Sequence, residues 1–277
     1  MNMNISLGQY FPGDSILHRA DPRTKIILSV AFMTLAFTAQ SIYEFITLAL
    51  FAGAAIAASK IPLPVVLRTL KPILPLILFA AVINIFIVPG EPFFRLWFIA
   101  PTREGLRIAV KMAARVSMIL LGGSSLMIFT TTPIMLTDGV ESMMNPLKRI
   151  RVPVHELAMM MTIALRFIPP LIEEADKIMR AQASRGADFN EGKLLDRARS
   201  FIPIIIPLFV SAFRRADELA NAMEARCYRG GEGRTKLRQL RMTRLDACLL
   251  AVFAAIAGIF FIERAMGGFD VYFILMQ

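Results

Sequence analysis

Residues 26–59 read IILSVAFMTLAFTAQSIYEFITLALFAGAAIAAS, bracketed by Lys25 and Lys60 and interrupted by a single charge, Glu44. A helix needs roughly 20 mostly apolar residues to cross a bilayer. The stretch supplies two such runs, Ile26 to Tyr43 and Phe45 to Ser59, and the tight Gln40–Glu44 connection makes them an antiparallel pair. The whole 277-residue chain agrees, with 56% apolar residues, 19% charged residues and a mean hydropathy of +0.59. A soluble domain would carry about a quarter charged residues.

Further runs follow. Pro62, Pro64, Pro72 and Pro75, with Arg68 and Lys71, form a hinge before Ile73 to Val88, which ends at the turn signal Pro89-Gly90. Within Arg103 to Phe129 the second half, Val116 to Phe129, is apolar. Its first half carries Arg107, Lys111 and Arg115 at four-residue spacing, on one helical face. That face is either an interfacial, snorkelling turn or a polar lining. From Thr130 to Leu245 no segment reads as a span, and the last is Ala247 to Ile262. The expected fold is an all-α integral membrane protein with about five transmembrane helices and a cytosolic module of long amphipathic helices. Its expected parts are a transmembrane region over 1–137, a cytosolic domain over 138–245 and a C-terminal transmembrane helix over 246–277.

Charge sets the orientation. Residues 138–245 hold nineteen of the thirty-one Lys and Arg, and cations concentrate on the cytoplasmic side. The first twenty-five residues have no signal-peptide core, so the N-terminus is expected in the cytosol. The net charge of +10 follows from the same bias, with no pattern that would engage nucleic acid. Two cysteines, Cys227 and Cys248, are too few for a disulfide framework. His18 and His155 lack metal-ligand spacing, and Asp138 and Glu141 share a helical face that no histidine joins. They read as a helix N-terminal charge pair. No Gly-x-x-x-x-Gly-Lys-Ser/Thr phosphate loop occurs, and the run Gly230 to Lys236 has the wrong spacing for one. Neither a cofactor nor a metal is expected. A self-contained secondary transporter or channel would need ionisable groups at mid-bilayer, and the first three spans offer little beyond Asn84.

The cytosolic segment is the informative one. Leu157, Met161, Leu165, Ile168, Ile172, Ala175 and Met179 recur at helical spacing, which predicts a long helix over 153–183. Glu173 with Lys177 and Asp176 with Arg180 are spaced as intrahelical ion pairs. Pro169-Pro170 should kink or break it between an apolar arm and a wetter one. Residues 196–227 repeat the plan, with Pro203 and Pro207 in the apolar arm. An offset of 41 residues aligns Ala175 with Ala216, Asp176 with Asp217, Ala181 with Ala222 and Arg185 with Arg226. Each helix thus presents an arginine near its C-terminal end. A lone arginine there complements the helix dipole. A matched pair also suits two equivalent acidic sockets on a dimeric or pseudo-dimeric partner.

These residues carry a resemblance. Asp21-Pro22-Arg23-Thr24-Lys25, Leu165-Arg166-Phe167-Ile168-Pro169-Pro170 and the paired triplets Ser184-Arg185-Gly186 and Ala225-Arg226-Cys227 resemble the transmembrane (T) component of energy-coupling factor transporters, ATP-driven importers of vitamins and transition-metal ions. Both triplets depart from the family's Ala-Arg-Gly form, the first at its alanine and the second at its glycine. The resemblance implies a non-catalytic subunit in a bacterial cytoplasmic membrane. It implies two crossing coupling helices whose ends (Ser184, Arg185, Gly186 and Ala225, Arg226, Cys227) dock on two ABC ATPase subunits. It also implies a membrane-embedded substrate-binding (S) component as neighbour. Pro169, Pro170, Pro203 and Pro207 are then candidate hinges of the coupling helices. A dedicated T component of a cobalt or nickel importer is the alternative within the family.

Overall fold

The computed structural model describes residues 10–90, 102–187, 194–230 and 240–265. Regular structure among them is helical. The chain runs α1 (Ile16–Arg19), α2 (Pro22–Thr38), α3 (Ile42–Ser59), α4 (Leu63–Arg68), α5 (Leu74–Ile87), α6 (Arg103–Gly123, continued by a π turn Ser124–Ile128), α7 (Pro133–Met144), α8 (Val154–Ser184), α9 (Leu194–Ala225) and α10 (Arg244–Ala265). It divides into two compact units: residues 1–140 with 239–277, and residues 141–238.

In the first unit, α2, α3 and α10 pack with α6 around Leu28, Phe32, Leu48, Phe253 and Phe260. The approach of α6 to α2 depends on Gly122, because a Cβ there would collide with the Phe32 ring. Small residues at such contacts let membrane helices close on one another. Gly105 does the same for α6 against α5, since its Cβ would meet the backbone of Asn84 and Ile85. The rest of α5 is unburied: Leu76, Leu78, Phe79 and Ile87 stand exposed.

Polar chemistry fixes the ends of these helices. Asp21 caps α2, its carboxylate accepting from the Arg23 N–H at 2.9 Å, with Pro22 in the first helical position. The Asp21 N–H donates to Asp246 Oδ1 at 2.7 Å. Asp246 reaches back on its own helix as well, its Oδ2 accepting from the Thr243 N–H at 2.7 Å and the Thr243 hydroxyl at 2.8 Å. The carboxylate is 1% exposed and ties the start of α2 to the start of α10. Lys25, equally buried, donates to the Thr130 carbonyl at 2.9 Å and to Thr131 Oγ1 at 3.2 Å. At the other end of α2, Glu44 bonds back to the Gln40 and Ser41 N–H groups at 2.5 and 3.2 Å. That box stops α2 at Thr38, so the first expected span is shorter than its apolar run. Arg115 donates to the carbonyl of Ala39, the C-cap of α2, at 2.6 Å. This member of the expected cationic face closes a helix end, and Arg107 pairs with Glu104 at 3.5 Å.

By length and apolarity three helices could cross a membrane: Ile42–Ser59, Val154–Ser184 and Arg244–Ala265. A fourth is the pair Arg103–Ile128 and Pro133–Leu147, bent by 92°, taken as one broken span. Pro22–Thr38 has 17 residues and Leu74–Ile87 has 14. No span was expected between Thr130 and Leu245, yet by length and apolarity alone α8 meets the requirement for one. Its apolar first arm is not cut off at Pro169-Pro170 but runs on through a 31-residue helix.

Candidate functional site

The second unit is built on α8 and α9, of 31 and 32 residues. Pro169 and Pro170 lie inside α8, and Pro203 and Pro207 inside α9. A proline removes one backbone donor and crowds the carbonyl four residues back. Here the helices pass through these positions unbroken. Before the prolines α8 exposes Leu157, Met160 and Met161, and in its apolar arm α9 exposes Ile205, Ile206, Phe209, Val210 and Phe213.

The two helices end identically. In α8 the last helical residue is Ser184, Arg185 is the C-cap, and Gly186 follows with φ +88°. The Gly186 N–H donates to the Ala183 carbonyl at 3.0 Å, and the Ala187 N–H to the Gln182 carbonyl at 3.1 Å. This double closure around a left-handed residue is the Schellman motif. In α9 the last helical residue is Ala225, Arg226 comes next, and Cys227 takes the left-handed position with φ +55°. The Cys227 N–H donates to the Glu224 carbonyl at 2.8 Å, and the Tyr228 N–H to the Met223 carbonyl at 3.0 Å. The same two bonds form over the same spacing, although the second motif lacks the glycine that accepts this conformation without strain. Arg185 and Arg226 thus occupy one structural position, directly before the turn. Ser184, Arg185, Gly186, Ala225, Arg226 and Cys227 are all exposed, and neither guanidinium has an ion-pair partner among the described residues.

Where the helices meet, Arg215 donates to Glu174 Oε2 at 2.8 Å. The expected intrahelical pairs Glu173–Lys177 and Asp176–Arg180 do not form; the acid that pairs is Glu174, across to the neighbouring helix. On one side of this contact lies an open apolar groove of about 480 Å³. Ile163 and Phe167 of α8 line it, facing Ala212, Ala216, Leu219, Ala220, Met223 and Glu224 of α9 and Tyr228 beyond it. Earlier residues of α8 therefore face later residues of α9, so the helices cross in an antiparallel sense.

Sequence reasoning missed two contacts in this unit. Glu174 with Arg215 stands at the 41-residue offset of the repeat, and that offset was the available signal. His155 Nδ1 lies 3.2 Å from Glu141 Oε1, so a histidine does join Glu141. No three His, Cys, Asp or Glu side chains gather as a metal site among the described residues. Of the run Gly230 to Lys236, all but Gly230 lies outside the described residues.

The family described as cobalt transport protein (CbiQ) matches residues 13–237. An energy-coupling factor transporter transmembrane protein, EcfT, of Ruminiclostridium cellulolyticum is 54% identical over 252 residues, covering 91% of this chain and 94% of the relative. Proteins of the same name are similar in Acidaminococcus fermentans, 52% identical over 93% of this chain and 97% of theirs, and in Thermosediminibacter oceani, 50% identical over 91% and 93%.

Proposed function

The chain belongs to the CbiQ family of transport proteins, and from that premise we propose that it couples two ABC ATPase subunits to a membrane-embedded substrate-binding component in an ATP-driven energy-coupling factor importer. It is a transporter component rather than a catalytic subunit. ATP would be hydrolysed by the partners, and the chain would carry their movement to the component that holds the micronutrient.

One observation carries this reading: two arginines at equivalent Schellman ends of crossing helices, both exposed and without an ion-pair partner among the described residues. Their exposure leaves the guanidinium forks available to carboxylates on two equivalent partner surfaces. Ser184 and Ala225, one residue before each arginine, and Gly186 and Cys227, one after, would shape the docking surface. Pro169, Pro170, Pro203 and Pro207 would act as the hinges between membrane-side and partner-side arms. Residues 138–245 and the N-terminus would lie in the cytosol of a bacterial cell, and the membrane would be its cytoplasmic membrane. The Asp21–Asp246 bond supports that placement, because it holds the starts of α2 and α10 together and so on one side.

Co-expression of the chain with its ATPase subunits, followed by affinity capture, tests the reading. Arg185→Glu with Arg226→Glu should release both ATPases while the chain remains in the membrane. Full retention of the ATPases by the double variant would leave the arginines as helix-end charges only. The family's description names cobalt, so cobalt or a related metal ion is the second reading of the cargo beside a vitamin. Uptake of labelled cobalt ion against labelled vitamins by cells carrying the whole complex separates the two.

A further inference from the structure

We propose that the Glu174–Arg215 ion pair is a register pin at the pseudo-two-fold crossing of α8 and α9, placing the two arginine-bearing tips at equal distances from the crossing. The inference rests on the coupling reading for its purpose, but not for its geometry.

Two helices related by a two-fold axis touch at equivalent residues only where the axis passes between them. Glu174 and Arg215 are equivalent in the 41-residue repeat, and they are in contact at 2.8 Å. The pair therefore marks the axis. From it Arg185 lies eleven residues further along α8, and Arg226 lies eleven residues further along α9. At 1.5 Å per residue each arm is about 16 Å long. Because the helices cross in an antiparallel sense, the arms point apart, and their tips cannot be separated by more than about 33 Å.

At such a crossing, identical charged residues would repel. Here the signs are reversed between the repeats: Glu173 and Glu174 in α8 correspond to Arg214 and Arg215 in α9, and Lys177 corresponds to Glu218. The reversal makes α8 complementary to α9 and not to a second α8. It also penalises a slip. Advancing α9 by one turn would bring Glu218 opposite Glu174, a like-charge contact, and retreating it would offer Ser211 or Ala212 in place of the cation. A half-exposed ion pair adds little stability by itself. Its effect lies in discriminating among registers that the apolar faces alone tolerate. A one-turn slip of α9 would shorten or lengthen its arm by about 5 Å and leave the arm of α8 unchanged, and two equivalent partners could no longer be engaged alike.

The test is a distance measured on the full-length chain reconstituted in lipid nanodiscs. Spin labels go on Ala181→Cys and Ala222→Cys, which are exposed, equivalent in the repeat and one turn before each arginine. Cys227→Gly and Cys248→Ser remove the native thiols. Pulsed dipolar spectroscopy should give one narrow distance for the wild-type pair. Glu174→Arg should broaden that distribution or move it by about 5 Å, and adding Arg215→Glu should restore the original distance. Should the single reversal fail to accumulate, Glu174→Gln gives the same reading, with broadening expected. A distribution unchanged by loss of the pair, or not restored by the reciprocal double variant, would overturn the pin. Because no ATPase is present, a failure of the coupling reading would show in the capture experiment and not here.

Discussion

Glu174 of α8 and Arg215 of α9 meet at 2.8 Å, and their offset of 41 positions is the offset that separates Arg185 from Arg226. One repeat offset thus describes both the crossing and the two tips. A surface ion pair of this kind is ordinarily worth about 0–1 kcal/mol. Its position at the point where the two halves of the repeat coincide gives it consequences that its energy does not.

Arg185 and Arg226 should contribute unequally to little more than a factor of a few, because they occupy one structural position. Truncating one partner of a buried interfacial charge pair costs about 2–5 kcal/mol. Arg185→Ala or Arg226→Ala alone should weaken ATPase capture yet leave a complex, since the remaining arm keeps the effective concentration high. The double alanine variant should lose more than either single change. Titration of purified ATPase subunits onto immobilised chain reads all three.

Cys227 and Gly186 are a matched pair of opposite expectation. Cys227 adopts φ +55°, a left-handed conformation that costs a side-chain-bearing residue roughly 1–2 kcal/mol. Cys227→Gly should slow amide exchange in the last turn of α9. Gly186 has φ +88° with open space around its Cα, so Gly186→Ala meets strain and no collision. It should loosen the last turn of α8 by about 1 kcal/mol. Hydrogen–deuterium exchange of the two terminal turns compares them directly.

Asp246 accepts three hydrogen bonds from two separate segments. Asp246→Ala would leave the N–H of buried Asp21 without its acceptor, at about 1–3 kcal/mol for that orphaned group, while the donors of exposed Thr243 turn to water. The detergent-solubilised variant should melt several degrees lower, and a cysteine placed at buried Thr24 should become reactive to a soluble maleimide. Unchanged melting would mean that water replaces the carboxylate.

Gly122 lets α6 lie against Phe32. Gly122→Ala should destabilise the first unit by about 1–3 kcal/mol through overpacking. Phe32→Leu should recover part of the loss in the double variant, while Phe32→Leu alone is mildly destabilising. Independent, additive effects in that cycle would place the collision elsewhere.

The prolines should matter for transport more than for insertion. Replacing Pro169, Pro170, Pro203 and Pro207 with alanine restores four backbone donors inside continuous helices. The quadruple variant should reach the membrane in normal amount and support weaker uptake by the assembled complex. Uptake at the wild-type rate would remove the hinges from the mechanism.

Much was legible along the chain because lipid solvent imposes a rule on composition. Every spanning backbone must satisfy its own hydrogen bonds, so apolar runs announce helices, and cations announce a side. The all-α membrane class followed from this rule. So did the two long helices, whose apolar residues recur with the helical period, and the paired arginines, whose context repeats at 41 residues. Helix ends and pairings followed no such rule. The first span lost residues to α3 because the Glu44 side chain folds back on Gln40 and Ser41. Arg115 capped a helix 76 residues away. The charges on α8 that read as intrahelical pairs gave way to Glu174 reaching Arg215, because a helix surface offers each acid several cations and only the neighbouring helix decides among them. Sequence alone thus determined which segments are helices, where the chain is apolar, and that two of its helices are copies ending in arginine. The tertiary structure decided that Cys227 would close its helix as Gly186 does, that Asp21 would meet Asp246, and that the copies would cross at Glu174 and Arg215. Those outcomes depend on contacts between residues far apart in the chain, and local propensity carries no record of them.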